Sequence, residues 1–250
     1  MKLVVFGDSW VEGYRLYPKH AVNNLNICHY ISEFIPEINV ENIGFRGNSN
    51  ASIASSVLEY VQNNDTKDCV FLVSFTEWNR HSLVEDDNQI KPEYKIVNFR
   101  SGSVEESISK ELKRRITLEF HRYNYQSAYY SVLGICQSMG IPVRFTNSIC
   151  DQQLHSHVYD SYENRFVRLP FVSMKKYWIE PDTNYNTMYD ILTGDWLDQR
   201  DNVSYLMRRE KYNKERKHSE RYFTRCIHPT AEGSRLIAKT LCPYIEQMLF

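Results

Sequence analysis

Two residues far apart in the chain carry side chains suited to one reaction. Ser9 sits in Gly7-Asp8-Ser9-Trp10, directly after the apolar, β-prone run Lys2-Leu3-Val4-Val5-Phe6. A serine just past the C-terminal end of a strand stands where open α/β sheets keep their chemistry. His228 lies in Cys226-Ile227-His228-Pro229-Thr230-Ala231-Glu232-Gly233, before a helix start that Thr230 can cap. Serine is a weak nucleophile at neutral pH unless a base takes its proton, and an imidazole is suited to that task. Each motif also has a plainer reading. Gly-Asp-Ser is a common turn whose Asp8 or Ser9 can cap the next helix, and a lone histidine before a helix is often a cap or surface residue.

Two intervening loops carry candidate support. Asn42-Ile43-Gly44-Phe45-Arg46-Gly47-Asn48-Ser49-Asn50 leads from a strand into a helix. A glycine at such a junction offers an unobstructed backbone N–H that can hold a developing oxyanion, and Gly47 is better placed than Gly44. The alternative is that both glycines only permit positive φ. The next strand ends in Ser74-Phe75-Thr76-Glu77-Trp78-Asn79-Arg80. Thr76 or Asn79 can donate to an oxyanion, and Arg80 can orient an acidic neighbour or a substrate. A capped turn into an exposed loop explains the same residues.

The elements that must position these groups follow from the apolar pattern. Strands are expected at 2–6, 38–43, 68–75 and 141–146. Between them, residues 26–35 form a helix with Ile27, Ile31, Phe34 and Ile35 on one face, stopped by Pro36. A second helix has the stripe Ile53, Ala54, Val57, Leu58 and Val61. A third, within 104–139, has Ala128, Tyr129, Val132, Leu133, Cys136 and Met139 inward and is ended by Gly140. Residues 81–103 are polar and without period, so they read as a long loop or a small excursion over the sheet. The β-α alternation predicts a parallel, doubly wound sheet in one domain spanning 1–250.

The stretch 147–222 breaks that rhythm. It is aromatic and charged, and reads as an insertion over the crevice before a C-terminal helix with the stripe Leu236/Ile237, Leu241, Ile245 and Met248/Leu249. Within it, the segment bounded by Arg208 and Arg221 holds seven Lys or Arg against three Glu. Such a segment suits a phosphate or acidic glycan, or is a solvated helix face.

Composition excludes several classes. The chain has 250 residues and a formal charge of −1, so it is not a polyanion binder as a whole, and nucleic-acid contact would fall to the basic segment alone. No run approaches the ~18 apolar residues of a membrane span. Six cysteines without paired short spacings read as buried free thiols in a reducing compartment, with no metal site. The absence of a leader-type start predicts a cytoplasmic protein, or one carried out by another route such as a virion. The 18 tyrosines suit a groove lined by amphipathic aromatics, or reflect codon bias.

In chain order, Gly7-Asp8-Ser9-Trp10, Asn42-x-Gly44-x-x-Gly47, a polar third strand end and His228-Pro229 resemble the SGNH, or GDSL, hydrolase superfamily. The Gly47-Asn48-Ser49-Asn50 loop and the Thr76 to Arg80 strand end are similar to versions found in bacteriophage genomes. The resemblance implies a three-layer α/β/α sandwich with a flavodoxin-like parallel sheet. It also implies cofactor-free serine hydrolysis of small or carbohydrate esters, often acetyl esters. Ser9 would be the nucleophile and a backbone oxyanion donor, Gly47 a second donor, and His228 the base and then acid.

Two departures qualify it. The family pattern Gly-x-Asn-Asp is here Ser74-Phe75-Thr76-Glu77, which leaves the side-chain oxyanion donor to Thr76 or, in a shifted register, Asn79. The acid expected three residues before the histidine is Arg225, which cannot orient or stabilise an imidazolium. Asp151 or a carboxylate of the insertion can substitute, or a Ser-His dyad can act with a backbone carbonyl orienting the ring. The remaining alternative is lost activity, which leaves a protein that binds a ligand or partner through its crevice and aromatic insertion.

Overall fold

The computed structural model describes residues 1–13, 25–76, 80–85, 93–98, 118–148, 177, 179, 188–193, 222 and 228–249. Four strands form one parallel sheet: β1 (Lys2–Gly7), β2 (Asn39–Gly44), β3 (Cys69–Phe75) and β6 (Val143–Asn147), in the order β2-β1-β3-β6. All pairs are parallel, with Phe6 opposite Ile43 and Val73 and Phe71 opposite Val143. A parallel pair needs a crossover, and the chain supplies helices for it: α1 (Ser9–Glu12) and α2 (Ile27–Phe34), α3 (Asn50–Asn63) and α4 (Leu118–Met139). Among the described residues, two more helices, α5 (Met188–Thr193) and α6 (Ala231–Leu249), come after β6.

Side-chain alternation along the central strands divides the interior into two cores. Leu3, Val5, Val70 and Leu72 face one way and pack with Ile27 and Ile31 of α2 and Ile237, Leu241 and Ile245 of α6. Val4, Phe6, Phe71, Val73 and Phe75 face the other and meet Ile53 and Val57 of α3 and Tyr129, Val132 and Cys136 of α4. With both faces covered, β3 is buried along its whole length, as its near-continuous apolar run requires. The result is a three-layer α/β/α sandwich.

Local chemistry starts and stops these helices. Asn26 caps α2 by accepting the His29 N–H at 3.0 Å, and Ser49 caps α3 by accepting the Ser52 N–H at 3.2 Å. After α4 the chain turns through Gly140 at φ +67°, a left-handed conformation that costs glycine little. Four cysteines, Cys28, Cys69, Cys136 and Cys242, are free and buried, and burial pushes the thiols of Cys28, Cys136 and Cys242 up to about 12. Among the described residues there is no cluster suited to a metal, and no helix is long and apolar enough to cross a membrane.

The sequence expectations fail at several places. Leu58 is 43% exposed, and Tyr60 joins Ile53 and Val57 in the core instead. Leu58 lies about 140° round the helix from Ile53, off the buried stripe. Met139 is 54% exposed; the chain turns at Gly140, and Ile141 enters the core in its place. The polar stretch after residue 80 contains an antiparallel hairpin, β4 (Arg80–Glu85) with β5 (Glu93–Asn98). The two strands are six residues each, with only Leu83 and Val84 in one and Tyr94, Ile96 and Val97 in the other, too short a pattern to stand out from the polar residues around it.

The stretch expected as an insertion also contributes to the fold. Phe145 N–H donates to the Tyr177 carbonyl and Ile179 N–H to the Phe145 carbonyl, each at 2.8 Å, which is parallel pairing along the free edge of β6. Ile179, Met188 and Leu192 are buried in the core beneath α2 and α6. The basic segment between Arg208 and Arg221, and Asp151, lie outside the described residues.

Candidate active site

Gly7 and Gly44 let α1 fold tightly back onto the sheet. A Cβ on Gly7 would lie 2.4 Å from Val11 Cγ2, and one on Gly44 2.5 Å from the Glu12 backbone nitrogen. Their role is space rather than positive φ. Asn42 then ties the turn to β2, its Nδ2 donating to the Val11 carbonyl at 2.9 Å while its Oδ1 accepts the Gly44 N–H at 2.8 Å. Gly13, at φ 83°, ends α1. Ser9 is thereby fixed and buried at the C-terminal end of β1.

His228 meets it from the other end of the chain. His228 Nε2 and Ser9 Oγ are 2.8 Å apart across a separation of 219 residues. The start of α6 anchors the histidine. Thr230 donates its N–H to the Tyr222 carbonyl at 2.8 Å and caps α6 by accepting the Gly233 N–H on Oγ1 at 3.1 Å. A Cβ on Gly233 would come within 2.5 Å of the Tyr222 carbonyl oxygen, so the glycine lets that segment cross the helix start. Arg225 lies outside the described residues.

The loop after β2 is attached at both ends to the residue two before Ser9. Phe45 N–H donates to the Gly7 carbonyl at 3.1 Å, and Asn48 Nδ2 donates to the same oxygen at 3.0 Å. Asn48 N–H closes a turn onto the Phe45 carbonyl at 3.2 Å, with Gly47 at φ 80° in the position that demands left-handed backbone in a type II turn. Among the described residues neither the Ser9 nor the Gly47 backbone N–H has a hydrogen-bond partner.

Thr76 does other work than expected, while Asp8 caps α1 as the plainer reading of its turn has it. Thr76 Oγ1 donates its single proton to Asp8 Oδ2 at 2.7 Å, and so is not directed at a substrate oxyanion. The Asp8 carboxylate is buried and accepts; Oδ1 caps α1 at the Trp10 N–H (3.0 Å) and takes the Ser148 hydroxyl at 2.8 Å. It supports the serine from below. Arg80 opens β4, where its backbone alone is described, and Asn79 lies outside the described residues.

Sequence reasoning missed Ser148, Ser74 and Asn50. Ser74 Oγ and Ser148 Oγ are 2.9 Å apart, while Asn50 grips the Thr76 backbone, accepting its N–H at 2.8 Å and donating to its carbonyl at 3.3 Å. The usable signal was polarity at the C-terminal ends of otherwise apolar strands. Ser74 in Val-Phe-Leu-Val-Ser-Phe and Ser148 after Arg-Phe-Thr-Asn both show it.

No family model matches the sequence, and no curated protein matches it. Several solved structures align along nearly its whole length. A lipolytic protein of the G-D-S-L family from Desulfitobacterium hafniense is 12% identical, covering 97% of this chain and 98% of that one with a TM-score of 0.49. A member of the lipolytic G-D-S-L family from Veillonella parvula is likewise 12% identical, with 99% of each chain covered and a TM-score of 0.49. A catalytic mutant of an acetylxylan esterase from Geobacillus stearothermophilus is 12% identical over 100% of this chain and 94% of its own, with a TM-score of 0.42. At such identities the chemistry must be read from the site itself.

Proposed function

We propose that this chain is a serine hydrolase of the SGNH type that cleaves a small acyl ester, with acetyl esters on carbohydrate as the substrate class the sequence motifs imply. The observation that carries the reading is the 2.8 Å contact between Ser9 Oγ and His228 Nε2, at the C-terminal end of the sheet. A hydroxyl and an imidazole at that distance can exchange a proton without rearrangement. For the serine to donate, the ring is neutral with its proton on Nδ1.

In this reading His228 takes the Ser9 proton as Oγ attacks the ester carbonyl. The negative charge that develops on the carbonyl oxygen is met by the N–H groups of Ser9 and Gly47, which hold no other partner among the described residues. Protonated His228 then gives its proton to the departing alcohol, leaving an acyl group on Ser9. Water, deprotonated by the same imidazole, releases the acid and restores the serine.

Hydrolysis of p-nitrophenyl acetate tests it. The purified protein is expected to hydrolyse the ester and Ser9→Ala to lose that activity; equal rates for the two would remove Ser9 as nucleophile.

A further inference from the structure

Beneath Ser9 lies a set of hydroxyls that the reaction does not itself consume. Asp8, Ser74, Thr76 and Ser148 are all buried, and they stand at the C-terminal ends of the adjacent strands β1, β3 and β6. Their hydrogen bonds run in one direction. Ser148 spends its one proton on Asp8 Oδ1 at 2.8 Å, so the 2.9 Å contact with Ser74 is a donation from Ser74 to Ser148. Thr76 donates to the other carboxylate oxygen at 2.7 Å. The carboxylate is thus clamped between two strand ends that are not its own.

That clamp bears on the peptide joining Asp8 to Ser9. Asp8 Oδ1 also accepts the Trp10 N–H at 3.0 Å, and the Asp8 carbonyl accepts the N–H groups of Val11 and Glu12 at 3.1 and 3.0 Å. A trans peptide is planar, so a carbonyl directed into α1 sends the Ser9 N–H the opposite way, away from the helix. Side chain and main chain of Asp8 together set the direction of the Ser9 N–H and the origin of its Cβ–Oγ arm.

We propose that Thr76 and Ser148 are positioning residues, which act through the Asp8 carboxylate to hold the Ser9 hydroxyl and N–H in reactive alignment. This deepens the hydrolase reading and rests on it. The hydroxyls touch no substrate. Their effect is therefore on kcat rather than KM, because misalignment of a reacting group by a fraction of an ångström costs rate rather than ground-state binding.

Thr76→Val is a clean probe, since the valine keeps the shape and Asn50 continues to hold the residue 76 backbone from both sides. Ser148→Ala probes the same carboxylate from another strand, so one variant serves if the other fails to fold. Both are expected to lower kcat for p-nitrophenyl acetate, and the rate of fluorophosphonate labelling, by on the order of tenfold at unchanged KM. Thr76→Ser and Ser148→Thr, which keep the hydroxyl, are expected to recover most of the rate. Tyr60→Phe, which removes a hydroxyl at the opposite end of the sheet, should lower the melting temperature and leave kcat alone. Wild-type kcat and labelling rate in folded Thr76→Val or Ser148→Ala would overturn the inference, as would rates equally low in the hydroxyl-retaining variants. A wild-type protein that neither hydrolyses the ester nor reacts with the fluorophosphonate overturns the hydrolase reading itself, and this inference with it.

Discussion

The two ends of the central sheet handle their polar groups in opposite ways. At the N-terminal end, half-exposed Lys2 and Glu41 meet the hydroxyl of the buried Tyr60: Tyr60 donates its hydroxyl proton to Glu41 Oε2 at 2.7 Å and Lys2 Nζ donates to the same oxygen at 3.1 Å. Water remains available to Lys2 and Glu41, while the ring of Tyr60 is buried and brings its hydroxyl out to them, so the ionic part of the network costs little. At the C-terminal end, Asp8, Ser9, Ser74, Thr76, Ser148, Asn48 and Asn50 are withdrawn from water. Burying that many polar groups is unfavourable unless each finds a partner, and here the partners are mostly one another. A fold under no demand but stability could fill those positions with apolar residues. The concentration of satisfied but expensive groups around one serine is what sets this end of the sheet apart, and it is the end to which the proposed hydrolysis is assigned.

Changes at the two ends should therefore separate into effects on rate and effects on stability. The largest is at the reacting pair: Ser9→Ala or His228→Gln should lower kcat/KM for p-nitrophenyl acetate by on the order of 10⁴–10⁶, with similar losses for either, as for groups acting as a unit. Circular dichroism and melting temperature should stay near wild type. Next is Gly44→Ala, whose Cβ would meet the Glu12 backbone nitrogen at 2.5 Å. It is expected to cost about 1–3 kcal/mol by overpacking, and to cut the rate because α1 carries Ser9. A Gly44→Ala protein with normal stability and rate would remove the space argument.

The smallest effect belongs to the N-terminal end. Tyr60→Phe should cost about 0.5–1.5 kcal/mol in urea unfolding at neutral pH. The cost should depend on pH. The Tyr60 hydroxyl, and then Lys2, hold Glu41 below its ordinary 4.5, so that contribution is present above about pH 4.5 and fades as pH falls through the lower folded value. Burial, and then Glu41, push Tyr60 up to about 12, and Glu41 raises Lys2. Those contributions are present below their ordinary values of 10.0 and 10.5 and fade as pH rises through the folded ones. The difference between wild type and Tyr60→Phe should be greatest between those limits and shrink on both sides. A flat difference would contradict the network.

The contrast also explains what could be read from sequence. Parallel strands buried on both faces write themselves as apolar runs, so β1 and β3 and the helices between them were legible. Ser9 and His228, which the structure brings to 2.8 Å, drew notice because each sits in a short motif at an element boundary. Thr76 was singled out for the right place and the wrong task, since a side chain's acceptor is set by which strand lies alongside. That Asp8, Thr76 and Ser148 converge follows from the order β2-β1-β3-β6, a long-range fact that no local window contains. Ile179 escaped notice for a related reason: it lies in an aromatic and charged stretch without periodic apolar pattern, and its burial comes from pairing beside Phe145.

The central claim is that the C-terminal end of the sheet holds a serine activated by the histidine beside it. Incubation with a fluorophosphonate, followed by mass-spectrometric mapping of the modified peptide, tests it most directly. The expected result is a single adduct on Ser9, formed much more slowly in His228→Gln. No adduct, an adduct on another serine, or labelling of Ser9 at an equal rate without the histidine would contradict it.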